Sequence, residues 1–171
     1  MTAPSLLSLD LATSVGWARL RDGRVDYGTY RLPATGPDVG RFLAAYEDWL
    51  RVAMLDGVDV CVFEAPFVSG KTSQDTARKL LCLAGLTELI CHRAGIRCFE
   101  TNIKTVTKHF VGRCPPQRAE KKAATLRACR QRGWQPKNDD EADALAVLDY
   151  AVHWLRLPVK LPVGGLFGDA A

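Results

Sequence analysis

The sequence predicts an α/β domain: a mixed five-stranded sheet, three antiparallel strands followed by two parallel ones, with helices on both faces. Three observations predict it. The chain opens with three short apolar stretches joined by tight polar turns, the pattern of an antiparallel meander. Two later apolar runs, Val58–Phe63 and Ile96–Glu100, each follow a stretch of helical spacing, so crossovers join them and their strands run parallel. The 171 residues, 47% hydrophobic and 25% charged, hold one domain with a sizeable core.

The first strand covers Leu6–Leu11, the second Gly16–Leu20 and the third Val25–Leu32. Asp22-Gly23 between the last two is a tight hairpin signal. Phe42, Tyr46, Trp49 and Ala53 recur at helical spacing and predict a helix over Val39–Leu55. The fourth strand ends on Glu64, just before Ala65-Pro66. A loop through Ser69-Gly70-Lys71-Thr72 leads into a leucine-rich helix over Ser73–Cys91, and Gly95 closes it. After the fifth strand come a short helix over Asn102–Phe110, a proline-bearing loop, and a basic helix over Arg118–Arg132. The last helix, Asp139–Leu155, is capped by Asn138 or Asp139. The domain is expected over residues 1–157, with an extended tail over 158–171.

Composition narrows the function classes. No apolar run approaches the ~20 residues of a membrane span, and the first residues lack the basic and apolar regions of a secretory signal. Six cysteines show neither a CxxC nor zinc-type spacing, and several fall inside apolar segments as buried free thiols do, so a cytoplasmic, reducing compartment is expected. Charge is uneven. Between Arg97 and Lys137 eleven Lys/Arg face only Glu100 and Glu120, a local +9, while the rest of the chain sums to −5. That asymmetry fits a polyanionic partner on one face, or equally a solvated helix surface.

Four acids stand where chemistry is to be sought. Asp10 follows Leu6, Leu7 and Leu9, and Asp is a poor strand former whose buried charge is costly without a partner. Glu64 ends the fourth strand. If the first and fourth strands are neighbours, both carboxylates leave the same region of the sheet. Asp140 and Asp143, three apart at the start of the last helix, share one face, and Ala142, Ala144 and Ala146 let that helix lie close to the sheet. Such acids repel one another unless divalent cations sit between them, and hard oxygen donors suit Mg²⁺ or Mn²⁺, two ions per site. Each has a plainer reading by itself: Asp10 as an Asx-turn residue, Glu64 as a solvent-facing charge, Asp139-Asp140-Glu141 as acids complementing a helix dipole. Their joint placement favours the metal site.

LSLDLATSVGWA, VFEAPF and NDDEADALAVLDYA together resemble the RuvC-type Holliday junction resolvases of the RNase H-like nuclease superfamily, over residues 5–156. The likeness is to short phage-borne or divergent members more than to the standard bacterial form. It implies an RNase H-like fold and a Mg²⁺-dependent endodeoxyribonuclease acting on four-way DNA junctions. The family's four metal-binding acids match Asp10, Glu64, Asp140 and Asp143, with Asp139 competing for the third place. Its aromatic wedge falls on Phe67, which also reads as a core aromatic between Pro66 and Val68. Its basic residues fall near Lys104 and Lys121, the latter beside the scissile phosphate, with Lys122 as the alternative. Lys71, Lys108, Arg113 and Arg118 join Lys104 and Lys122 as expected DNA contacts. One departure is that Leu11-Ala12 stands where the family has Pro-Gly. The resemblance also implies a homodimer, to which part of the Leu80–Ile90 surface would contribute, and branch-migration or phage recombination partners. DLATSVGWARL resembles the phosphate turn of actin-like sugar kinases too, but those need two such domains and a second glycine-rich loop. An RNA-cutting enzyme of the same superfamily, or a non-catalytic junction-binding module, are the other readings.

Overall fold

The computed structural model describes residues 4–158 and Leu161; apart from Pro158 and Leu161, the expected tail lies outside them. Five strands form one sheet: β1 (Leu6–Asp10), β2 (Ser14–Arg21), β3 (Arg24–Arg31), β4 (Val60–Glu64) and β5 (Arg97–Thr101). Their order is β3-β2-β1-β4-β5. The β1–β2 and β2–β3 pairs are antiparallel, and β1–β4 and β4–β5 are parallel. The expected mixed sheet is therefore the observed one. Asp22 and Gly23 both take positive φ, 49° and 74°, the geometry that lets a two-residue turn follow the twist of the hairpin.

The helices are α1 (Val39–Met54), α2 (Gln74–Ala94), α3 (Ile103–Val111), α4 (Arg118–Gln131) and α5 (Asp139–Trp154). Strand alternation sorts them into two layers. Leu7, Leu9, Cys61 and Phe63 face α1 and α2, joining Phe42, Tyr46, Leu50, Leu83, Ile90 and Cys91 in one core. Leu6, Val60 and Val62 face the other way, onto Val106, Phe110, Ala128 and the buried face of α5. Among the described residues no helix is long and apolar enough to cross a membrane.

The parity has a direct consequence. Leu6, Ser8 and Asp10 lie on one side of β1, and Val60, Val62 and Glu64 on the same side of β4. The parallel register pairs Leu9 with Phe63, so the next residues along, Asp10 and Glu64, leave the sheet side by side on the α5 face.

Candidate metal centre and nucleic-acid interface

The last helix completes the site, and a set of hydrogen bonds places it. The Asn138 side chain caps α5 by accepting from the Glu141 N–H (2.9 Å), and its amide donates to the Thr29 hydroxyl of β3 (3.0 Å). Glu141 is itself buried and accepts from the Lys137 N–H (2.7 Å), while the Gln135 N–H donates to the Tyr27 hydroxyl (2.9 Å). Beneath the helix, the Ser8 hydroxyl hydrogen-bonds the carbonyls of Ala18 and Ala144, at 3.1 and 2.8 Å. Ala142, Ala144 and Ala146 are all buried, and the Ala142 carbonyl lies 3.9 Å from the Cys129 sulfur of α4.

The approach is closest at Gly16. It pairs with Asp10 across the β1–β2 ladder, and a Cβ there would overlap the carbonyl group of Asp140. Only a residue without a side chain lets the start of α5 rest on β2. Sequence reasoning missed Gly16, although a glycine inside a strand is a recognised sign of close backbone approach. It also missed Glu141, whose buried carboxylate is structural, and Thr29, whose hydroxyl nothing in the pattern distinguishes.

Asp10, Glu64, Asp140 and Asp143 line one open cleft of about 580 Å³ together with Asp139, Lys121 and Lys122. Asp10 is partly buried and Glu64 is buried, which removes the solvent-facing reading of Glu64. Burial raises the Asp10 carboxyl well above its ordinary value, and the charges of Glu64, Asp143 and Asp140 raise it further against the opposing pull of Lys121. Burial likewise pushes Glu64 up to about 7, with Lys121 opposing and Asp143 adding to it. Asp143 is raised for the same primary reason, again opposed by Lys121. The Lys121 ammonium lies 3.6 Å from Asp143. Lys122 is bound to Asp139, the other contender for the third acid, and the charge of Asp140 is among those that raise Asp10.

These acids are short of positive charge. Lys121 alone opposes the rise of Asp10 and Glu64, and Lys121 with Lys122 opposes that of Asp143, yet all three remain raised, the physical sign of that deficit. Oxygen donors of this kind fit hard divalent ions. Among the described residues, no three of the acids bring ligand oxygens within 4.8 Å of one another.

The loop leaving β4 is held by the Ala65 N–H donating to the Thr101 carbonyl (2.9 Å). It carries Phe67 out at the cleft edge with 74% of its surface exposed, so the core-aromatic reading does not hold. Lys104 and Arg118 also line the cleft. Lys71, Lys108 and Arg113 are exposed but lie outside its lining, and Arg113 pairs with Glu120 at 2.5 Å.

No family model and no curated protein matches the chain. Solved structures do. RuvC of Thermus thermophilus in complex with Holliday junction substrate superposes with a TM-score of 0.70 at 14% identity, over 90% of this chain and 95% of that one. Another T. thermophilus RuvC structure gives 0.61 at 17% identity, over 89% and 95%. The yeast mitochondrial Holliday junction resolvase Ydc2 gives 0.62 at 11% identity, over 91% and 80%. The chain therefore has the RuvC-like, RNase H-type fold expected of it.

Proposed function

We propose that this protein is a divalent-metal-dependent endonuclease that resolves four-way DNA junctions. The observation that carries the reading is the meeting of four carboxylates, from β1, β4 and α5, in a cleft edged by lysines and an exposed phenylalanine on a junction-resolvase fold.

Asp10 and Glu64 would hold the two Mg²⁺ or Mn²⁺ ions between them, with Asp140 and Asp143 completing the ligand sets. When bound, such ions lower the pKa of a water and stabilise the departing oxygen of a phosphodiester. The Lys121 ammonium, fixed beside Asp143, supplies positive charge where the phosphate gains negative charge during in-line attack. Lys104, Arg118 and Lys122 would hold backbone phosphates at the cleft, and Lys71, Lys108 and Arg113 would meet the arms beyond it. Phe67 has no packing duty at its exposed position, so its ring is free to wedge into unpaired bases at the crossover.

Paired cuts on symmetric strands call for two copies related by a twofold axis. Leu81 and Leu89, 58% and 42% exposed on one face of α2 with Gly85 between them, offer an apolar surface for that contact. The six free thiols suit a cytoplasmic setting, where recombination or branch-migration proteins would deliver the substrate.

The test is a synthetic four-way junction incubated with and without Mg²⁺, alongside a matched linear duplex and an RNA–DNA hybrid. Symmetric nicks near the crossover, dependent on Mg²⁺ and abolished by Asp10→Asn with junction binding retained, are expected. Cleavage of the hybrid alone would reassign the protein to RNA processing. Junction binding without cleavage under any divalent ion would make it a binding module.

A further inference from the structure

On the sheet face opposite the carboxylates lies a second cluster of ligand-type side chains, independent of the nuclease reading. Cys61 of β4, Cys91 of α2 and Cys98 of β5 bring their sulfurs within 4.8 Å of one another, and they form the only such group of three His, Cys, Asp or Glu among the described residues. Cys61 and Cys98 are register partners on adjacent parallel strands, so their side chains leave the same face. Cys91 comes down from the last turn of α2, and a tight corner fixes its position. Gly95 ends the helix in the left-handed region at φ 69°, and the Ile96 N–H donates back to the Cys91 carbonyl (2.9 Å) before β5 begins.

We propose that these three thiols are a binding site for a soft, thiophilic d10 cation, Cu(I) or Zn²⁺. Three sulfurs sharing one ion at about 2.3 Å stand about 4 Å apart, so the observed spacing closes on an ion with little movement. A disulfide would need two of them about 2.05 Å apart and would leave the third unused. Soft sulfur donors select this class of ion over the hard cations that suit the carboxylate cleft. No fourth His, Cys, Asp or Glu joins the group among the described residues. The site therefore matches a three-coordinate Cu(I), or Zn²⁺ with water in the fourth place. Cys61 and Cys91 are fully buried, whereas Cys98 is partly exposed on the edge strand and marks the side from which an ion arrives. Binding would tie β4, β5 and α2 together, three residues along β4 from Glu64.

Cobalt(II) titrated into the full-length, reduced protein is the probe, because sulfur-to-cobalt charge-transfer absorption reports thiolate ligation and is silent to cobalt held by carboxylates. The band is expected to saturate at one equivalent in the parent chain and in Cys82→Ser, and to be lost in Cys98→Ser. Competition with Zn²⁺ and with Cu(I) then separates the two ions, the one displacing cobalt at lower concentration being the preferred occupant. Should Cys98→Ser fail to fold, cobalt-dependent protection of Cys98 from alkylation in the parent chain, mapped by peptide mass, decides the matter. A folded parent that gives neither the cobalt band nor a saturable Cu(I)–thiolate ultraviolet absorption, survival of either signal in folded Cys98→Ser, or Cys98 left unprotected by cobalt and by Cu(I) alike would overturn the assignment.

Discussion

Gly16 shows how much a single missing side chain decides. Its Cα hydrogen faces the carbonyl of Asp140, and a methyl group there has nowhere to go but into helix backbone. Gly16→Ala should cost about 1–3 kcal/mol, the usual penalty of overpacking. Because the displaced element carries Asp140 and Asp143, cleavage should fall further than the loss of stability explains. Urea unfolding and junction cleavage measured on the same preparation separate the two effects.

Glu64 makes a second prediction at this scale. Its folded-state pKa of about 7 exceeds the ordinary 4.5, so the folded protein binds the proton more tightly than the unfolded chain. The associated stability is complete below pH 4.5 and is lost as pH rises through 7. The loss for this group is about 3 kcal/mol, and Asp10 and Asp143 act in the same direction. The melting temperature of the metal-free protein should therefore fall between pH 4.5 and 7, and Mg²⁺ should restore it more at pH 7.5 than at pH 5. A melting profile flat in pH and indifferent to Mg²⁺ would contradict the electrostatic account of the cleft.

At the scale of elements, the last helix is the part that turns a sheet into a site. Its cap residue works twice, closing the first turn of α5 and holding that turn to Thr29 on β3. Asn138→Ala removes both bonds and should destabilise the fold by about 1 kcal/mol. Asn138→Asp keeps the cap, and its carboxylate can still accept from the Thr29 hydroxyl, which lies 3.2 Å from Asn138 Oδ1, so it should recover most of that loss. Chemical denaturation midpoints for the two variants test the order. The capping signal was readable in the chain, since Asn before an acidic first turn is a standard helix start. Its bond to β3 was not, because it depends on which strand lies beneath the helix.

For the whole molecule, the outer face of α2 is the surface to test. Leu81 and Leu89 lie outside both cores, so replacing them both with Glu should leave the melting temperature nearly unchanged while converting the proposed dimer to a monomer. Sedimentation at micromolar concentration reads the outcome. A parent chain that already sediments as a monomer would remove the dimer from the proposal. The separation of basic residues over Arg97–Lys137 from an otherwise acidic chain also belongs to this scale, because α3, α4 and the loop between them bring four of those residues, Lys104, Arg118, Lys121 and Lys122, to the cleft.

The sequence by itself determined the elements and their order. Apolar alternation in β1 and β4, helical spacing in α1, Asp-Gly in the hairpin and Gly95 after α2 are local signals, and local backbone energetics act on them wherever the chain goes. It also determined that Asp10 and Glu64 end strands and that Asp140 and Asp143 share a helix face. Only the tertiary structure decided what those residues meet: the contact of Asp140 with Gly16, the engagement of Asp139 by Lys122, the exposure of Phe67, and the convergence of Cys61, Cys91 and Cys98. These are distances between segments far apart in the chain. Strand register and the packing of helices on the sheet set them, and no periodicity along the sequence encodes them.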